Sequence, residues 1–218
     1  MYQCVVWDWN GTLLDDVAAA MGVMDTMLAR RGLSLLGGKE RYREIFTFPV
    51  REYYLSAGLD LEREPFEDLA VEWTELYQEA SQNCGLFPEA AEILAKLEQA
   101  GVAQLIVSAS PQETLERQVE SLGVRGRFQA LLGLSDIYAG SKAGLARQYF
   151  AQEKISPDQV LFVGDTLHDW EVAEDAGCRC VLLSQGHQSR RLLEKAGVPV
   201  VDTLEQAALI AVGNKERC

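Results

Sequence analysis

Gln3-Cys4-Val5-Val6-Trp7-Asp8-Trp9-Asn10-Gly11-Thr12 opens the chain and decides its fold. The apolar run does not alternate and is partly β-branched, the pattern of a strand buried on both faces. It stops at Asp8, and Trp9-Asn10-Gly11-Thr12 reads as a loop in which Gly11 permits a backbone turn. A doubly buried strand needs parallel neighbours and helices above and below it. The remainder of the chain has to supply them.

It does so from Pro88 onward, where strand and helix signals alternate. Pro88, read as the first helical residue, starts a helix through Gln99 that Gly101 ends. The strand Gln104 to Val107 follows. Ser110-Pro111-Gln112-Glu113 has the spacing of a capping box and opens a helix to Leu122. Ala130 to Leu134 is strand-like, and Ala143 to Lys154 is helical. Gln159 to Val163 is a buried strand ending at Gly164-Asp165, with a helix from Leu167 to Ala176 behind it. Cys180 to Leu183, Ser189 to Ala196, Pro199 to Val201 and Leu204 to Ala211 complete the series. This alternation predicts an α/β fold, a Rossmann-like doubly wound parallel sheet.

Between the first strand and Pro88 the sequence is helical. Asp16 to Arg31 carries apolar residues at Val17, Ala20, Met21, Met24, Met27 and Leu28. Pro49 to Ala57 and Pro65 to Gln82 read as further helices, the second with Phe66, Leu69, Ala70, Trp73, Leu76 and Tyr77 on one stripe. No strand signal interrupts this stretch. The expected organisation is a core of residues 1–15 and 84–218 and an inserted all-α cap of residues 16–83, hinged near Asp15 and Asn83.

The composition narrows the partners. The chain has 218 residues, 48% of them hydrophobic, which suffices for a packed core and excludes a disordered chain or a disulfide miniprotein. Twenty Lys and Arg against 33 Asp and Glu leave a net charge of −13, which argues against nucleic-acid binding over a broad surface. No segment approaches the roughly 18 apolar residues of a membrane helix, and the start lacks the basic region of a signal peptide. Five cysteines without a C-x-x-C pair read as reduced thiols, so a cytoplasmic location is expected. His168 and His187 are the only histidines, too few for a histidine-rich metal cluster.

In open parallel sheets ligands sit beyond the carboxyl ends of the strands. Asp8, Ser108 and Asp165 stand at three such ends. Asp169 lies one helical turn beyond Asp165, and Lys142 follows the Ala130 to Leu134 strand. Three carboxylates in one pocket repel one another unless a cation holds them. An oxygen-only donor set suits Mg²⁺ completed by a phosphate. Singly, each residue has a plainer reading: Asp165 as a helix cap, Ser108 as a turn residue, Lys142 as a solvated lysine, Trp9 and Trp170 as packing. The ordered set carries the signal.

Asp8-Trp9-Asn10-Gly11-Thr12-Leu13-Leu14-Asp15 resembles the first motif of the haloacid dehalogenase-like hydrolases, Asp-x-Asp-Gly-Thr. Ser108 resembles the second motif, Lys142 the third, and Gly164-Asp165-Thr166-Leu167-His168-Asp169 the fourth. The layout is similar to that of the phosphoglycolate phosphatase-like members, with the insert in the place of their small cap. The resemblance implies a Mg²⁺-dependent phosphatase acting on a small phosphorylated metabolite. Asp8 would be the nucleophile that forms an aspartyl phosphate. Asp8, the Asn10 carbonyl, Asp165 and Asp169 would hold the metal. Ser108, Ala109, Lys142 and Thr12 would bind phosphate or brace its loop.

One position departs from the family. Asn10 stands where an aspartate normally protonates the leaving oxygen and then activates water. An amide does neither. The substitution points to slow hydrolysis, a longer-lived aspartyl phosphate, phosphoryl-transfer or phosphonate-type chemistry, or a weakened protein that only binds phosphometabolites. It predicts that Asn10→Asp speeds turnover. His168 is the neighbouring group able to move a proton, although a solvated helix position fits it better. A dehalogenase has no use for the Asp165 metal position, and a receiver-like module has no helical insert after its first strand. Arg43, Arg51, Tyr53 and Tyr54 are the cap side chains that could read a substrate.

Overall fold

The structure, a computed structural model, describes residues 1–134 and 142–213. Gly140, in the loop expected before Lys142, and Cys218 lie outside them. In chain order the main elements are β1 (Cys4–Trp7), α1 (Val17–Arg30), α2 (Lys39–Ile45), α3 (Val50–Ala57), α4 (Phe66–Ala80), α5 (Ala90–Gln99), β2 (Ala103–Pro111), α6 (Gln112–Ser121) and β3 (Ala130–Leu134). They continue with α7 (Lys142–Glu153), β4 (Val160–Gly164), α8 (Leu167–Ala176), β5 (Arg179–Leu183), α9 (Arg190–Leu193), β6 (Val200–Val201) and α10 (Leu204–Ala211).

The strands form one parallel sheet in the order β3-β2-β1-β4-β5-β6. β1 is central, with Trp7 opposite Ile106 on one side and Val163 on the other. Its four residues are all buried because helices cover both faces. Val5 and Trp7 join Ile106, Leu161 and Val181 in an apolar cluster with α5, α6 and α10. Cys4 and Val6 face the opposite way and pack with Val107, Phe162, Leu182, Phe150 and Val172. This is the period-two alternation of a strand with two wet-free faces. Gln104 is a polar residue buried inside β2: its Nε2 donates to the Leu94 carbonyl at 2.9 Å and its Oε1 accepts from Trp7 Nε1 at 3.2 Å.

A third apolar cluster contains only residues of α1 to α4 and their loops, from Val17 to Tyr77. Tyr53 and Tyr54 are buried inside it, so they are packing residues and not substrate readers. Arg51 lies over the Phe66 ring at 5.6 Å.

Three local expectations change. Pro88 precedes its helix by two residues and Glu89 is the N-cap. Helix α2 carries no strong sequence signal, since only Tyr42 and Ile45 of its seven residues are buried. The capping box at Ser110 does not form: β2 runs on through Pro111, Pro111 is the N-cap of α6, and no side chain caps it. A register shift between Val107 and Pro111 lifts this stretch out of the ladder toward the carboxyl rim, and that shift frees Ser110 for a different partner.

Candidate active site

The strand order reverses at β1, between the halves that grow toward β3 and toward β6. The carboxyl ends of β1, β2 and β4 meet at that switch point. Asp8 follows β1, and its backbone N–H donates to the Val163 carbonyl at 2.8 Å, which fixes where the side chain starts. Asp165 follows β4, and Asp169 sits on the first turn of α8. Ligand oxygens of Asp8, Asp165 and Asp169 lie within 4.8 Å of one another, the one such acidic group of three among the described residues. All three residues are buried.

Lys142 Nζ donates to Asp8 Oδ1 and to Asp169 Oδ1, both at 2.5 Å. Burial alone would push the ammonium toward neutrality, but Asp169 and Asp8 hold its pKa above the ordinary lysine value. Burial pushes Asp8 well above the carboxylate range; Lys142 opposes this, while Asp169 and Asp165 add to it. Burial likewise raises Asp165, against the pull of His187. Asp169 is enclosed too, yet Lys142 and the hydrogen bonds from Lys142 and Thr166 keep it below the usual range. One ammonium among three carboxylates leaves the centre short of positive charge. That deficit, with hard oxygen donors only, fits a divalent cation such as Mg²⁺.

The surrounding backbone is shaped to these side chains. Thr166 and Asp169 form a capping box at the start of α8, so Thr166 is the N-cap and Asp165 is not. Asp169 Oδ2 accepts from Thr166 Oγ1 at 2.7 Å and from the Asp165 and Thr166 N–H groups at 3.1 and 3.0 Å. Thr12 Oγ1 donates to Asp165 Oδ1 at 2.9 Å, so that hydroxyl braces a carboxylate. A Cβ at Gly186 would fall 2.1 Å from Asp165 Oδ2, and one at Gly11, where φ is +71°, would fall 2.5 Å from the same atom. Only glycine lets these two loops close on Asp165. Ser108 is buried at the rim, its Oγ accepting from the Ser110 N–H at 3.1 Å, and Ala109 beside it is exposed.

Asn10 is held at both ends of its amide. Nδ2 donates to Asp16 Oδ2 at 3.0 Å and to Tyr77 Oη at 2.7 Å, while Oδ1 accepts from Ser110 Oγ at 2.8 Å. Tyr77 Oη in turn donates to Asp16 Oδ2. Asp16 Oδ1 accepts from the Gly11 N–H at 2.7 Å and lies 3.3 Å from His187 Nε2. His187 Nδ1 shares a hydrogen bond with Tyr42 Oη at 2.7 Å, and its backbone N–H donates to Asp165 Oδ2 at 2.6 Å. Although burial opposes it, Asp16 raises His187 to about 9, and His187 pulls Asp16 below the usual range despite that carboxylate's own burial. His168 instead lies on the outer side of α8, 3.2 Å from Glu171 and stacked on Phe48 at 4.8 Å.

Sequence reasoning named Asp8, Asn10, Lys142, Asp165 and Asp169, and the fold gathers them. It missed Asp16, Tyr77 and His187. His187 carried a findable signal, because Gln185-Gly186-His187 follows the end of β5 on the same rim. Asp16 is the N-cap of α1 by position, but its carboxylate makes no cap hydrogen bond and turns instead to Gly11, Asn10 and His187. Segment 185–189 also receives α2: Arg43 Nε donates to the Gly186 carbonyl at 2.7 Å, its Nη2 to that of Gln185, and the Ser189 N–H to the Arg43 carbonyl at 3.1 Å. Arg43 therefore binds backbone at the core.

A parallel α/β sheet with acidic strand ends, a buried lysine and a helical insert after β1 matches the layout expected of a hydrolase that handles phosphoryl groups. The chain belongs to the haloacid dehalogenase-like hydrolases, whose sequence profile matches residues 5–183. The N-acetylmuramic acid 6-phosphate phosphatase of Pseudomonas putida is 32% identical over 189 residues, 85% of this chain and 84% of the relative. The phosphoglycolate phosphatase of Pseudomonas fluorescens is 26% identical over 210 residues, 93% of this chain and 77% of the relative. These relatives place the chain among the family's phosphoric monoester hydrolases. A crystal structure from Lactobacillus delbrueckii subsp. bulgaricus superposes with a TM-score of 0.81 at 21% identity, covering 98% of this chain and 99% of that one, a likeness of fold.

Proposed function

We propose that this protein is a Mg²⁺-dependent phosphatase that hydrolyses a small phosphorylated metabolite through an aspartyl phosphate on Asp8. The observation that carries the reading is Lys142 held 2.5 Å from both Asp8 and Asp169 beside a third buried carboxylate. Asp8, Asp165 and the Asn10 carbonyl would hold the metal, with Asp169 behind them. When bound, the metal offsets negative charge on the nucleophile and on the phosphoryl oxygens. Lys142 orients Asp8 through Oδ1, and a carboxylate oxygen of Asp8 attacks phosphorus as the ester oxygen leaves. Ser108 and the N–H groups around Ala109 face the phosphoryl oxygens. Residues 16–83, taken as a cap, cover the site and exclude water.

Asn10 moves no proton, so the second half of the reaction lacks the usual base. A positioned acid or base contributes typically about 10²–10⁴-fold. The same observation favours one second reading, transfer of the phosphoryl group from Asp8 to an acceptor other than water. The deciding experiment is a screen of phosphorylated metabolites with Mg²⁺, starting with N-acetylmuramic acid 6-phosphate and phosphoglycolate, the compounds named for the two relatives. Mg²⁺-dependent phosphate release that Asp8→Asn abolishes is expected. Release unaffected by Asp8→Asn would remove Asp8 as the nucleophile.

A further inference from the structure

The Asn10 side chain crosses from the core to the inserted helices. Its carbonyl end is held by Ser110 on β2, and its amide end by Tyr77 on α4 and by Asp16. Both Nδ2 protons and one Oδ1 lone pair are thereby used. Asp16 sets the orientation. It is buried and held as a carboxylate by the Gly11 N–H, Tyr77 and His187, so it offers only acceptors toward position 10. Only a donor fits against it. Tyr77 gives its proton to Asp16, which leaves its oxygen lone pair for the second Nδ2 proton. The surroundings of position 10 are thus complementary to an amide on every side.

We propose that Asn10 is a positioning residue that ties α4 to the core, and that Asp16 and Tyr77 specify an amide at this position. Asparagine is then the residue the pocket is built for, and the simple expectation that Asn10→Asp speeds turnover has to be revised. That substitution alone sets a second carboxylate about as far from Asp16 as the amide now is, within hydrogen-bond reach, where two like charges repel. The Tyr77 hydroxyl would then have one proton for two acceptors. Exchanging the pair reverses the pattern around position 10, but it also takes from His187 its charged partner at 16, a loss that the single variant Asp16→Asn measures by itself. In Asn10→Asp/Asp16→Asn, the amide at 16 donates to the carboxylate at 10, Tyr77 and Ser110 donate to it as well, and the Gly11 N–H keeps an oxygen at 16.

A double-mutant cycle on the full chain tests this, read by thermal unfolding and by hydrogen exchange along α4. Asn10→Asp should lower Tm by roughly 4–10 °C and speed amide exchange in the α4 turns around Tyr77. Asn10→Asp/Asp16→Asn should be destabilised by clearly less than the sum of Asn10→Asp and Asp16→Asn, and should restore slow exchange there. Tyr77→Phe should speed the same exchange with Asn10 and Asp16 intact. An Asn10→Asp protein as stable as the parent, or a double variant destabilised by the full sum of the two single variants, would overturn the proposal. So would unchanged α4 exchange in both Asn10→Asp and Tyr77→Phe. None of these readouts uses catalysis, so they stand apart from the phosphatase reading. That reading has its own arm: the double variant, now carrying a carboxylate at position 10, should release phosphate about 10²-fold faster than the parent. Restored slow exchange without faster release would count against the phosphatase chemistry and leave the tie intact.

Discussion

His187 and His168 show how the same residue type acquires opposite characters from its surroundings. His168 stands half-buried on the outer side of α8, beside Glu171 and against the Phe48 ring. His187 is buried between Asp16, Tyr42 and the Phe46 ring, which stacks on it at 4.9 Å. Its pKa rises from 6.5 to about 9, so the folded state holds a proton that the unfolded chain releases near 6.5. The stability it contributes is present below pH 6.5 and is lost as pH rises through about 9, with an upper size of about 3 kcal/mol. In metal-free buffer, Tm should fall between those pH values, and His187→Gln should flatten the slope. An equal slope in both proteins would show that His187 is not the group titrating. The residues readable from sequence were those at strand ends, where topology alone aims the side chain. Asp16, Tyr77 and His187 converge by tertiary packing: Tyr77 lies on a stripe that reads as core, and it does stack on Trp73 at 4.7 Å while its hydroxyl reaches Asn10.

Among the elements, α8 is the one whose first turn serves both fold and site. Its capping box joins Thr166 to Asp169, and Asp169 also receives Lys142. Replacing an N-cap threonine by alanine costs about 0.5–2 kcal/mol. At this chain length Thr166→Ala should therefore lower Tm by roughly 2–6 °C, and Thr166→Ser should recover most of it. A Thr166→Ala protein with unchanged Tm would mean that Asp169 is held by its other partners alone. Helical periodicity made most helices legible, and short apolar runs bounded by turn residues did the same for the strands of the sheet. Helix α2 was not, because seven residues with two buried positions form no period. Ser110 was misread because a capping-box spacing competes with strand extension, and the bulge after Val107 settles it for the strand.

At the scale of the whole molecule, two apolar clusters sandwich the sheet and a third fills α1 to α4, with the acidic centre where the sheet's strand order reverses. None of the described helices is long and apolar enough to cross a membrane. Charge accounts for the metal prediction: three buried carboxylates against one lysine should bind Mg²⁺ in the folded state only. At a hundredfold excess over Kd this stabilises by about 2.7 kcal/mol, read as a rise in Tm that Asp165→Ala removes. Equal stabilisation of both proteins by Mg²⁺ would reject Asp165 as a ligand. In the proposed chemistry Asp8 takes the phosphoryl group and Asn10 leaves its release unassisted. Stopped-flow cleavage of p-nitrophenyl phosphate with Mg²⁺ tests it most directly, because an aryl oxide leaves without help from an acid. A burst of p-nitrophenolate equal to the enzyme concentration, then slow turnover, is expected, with neither phase in Asp8→Asn; a linear trace without a burst, unchanged by Asp8→Asn, would remove Asp8 as the phosphoryl acceptor.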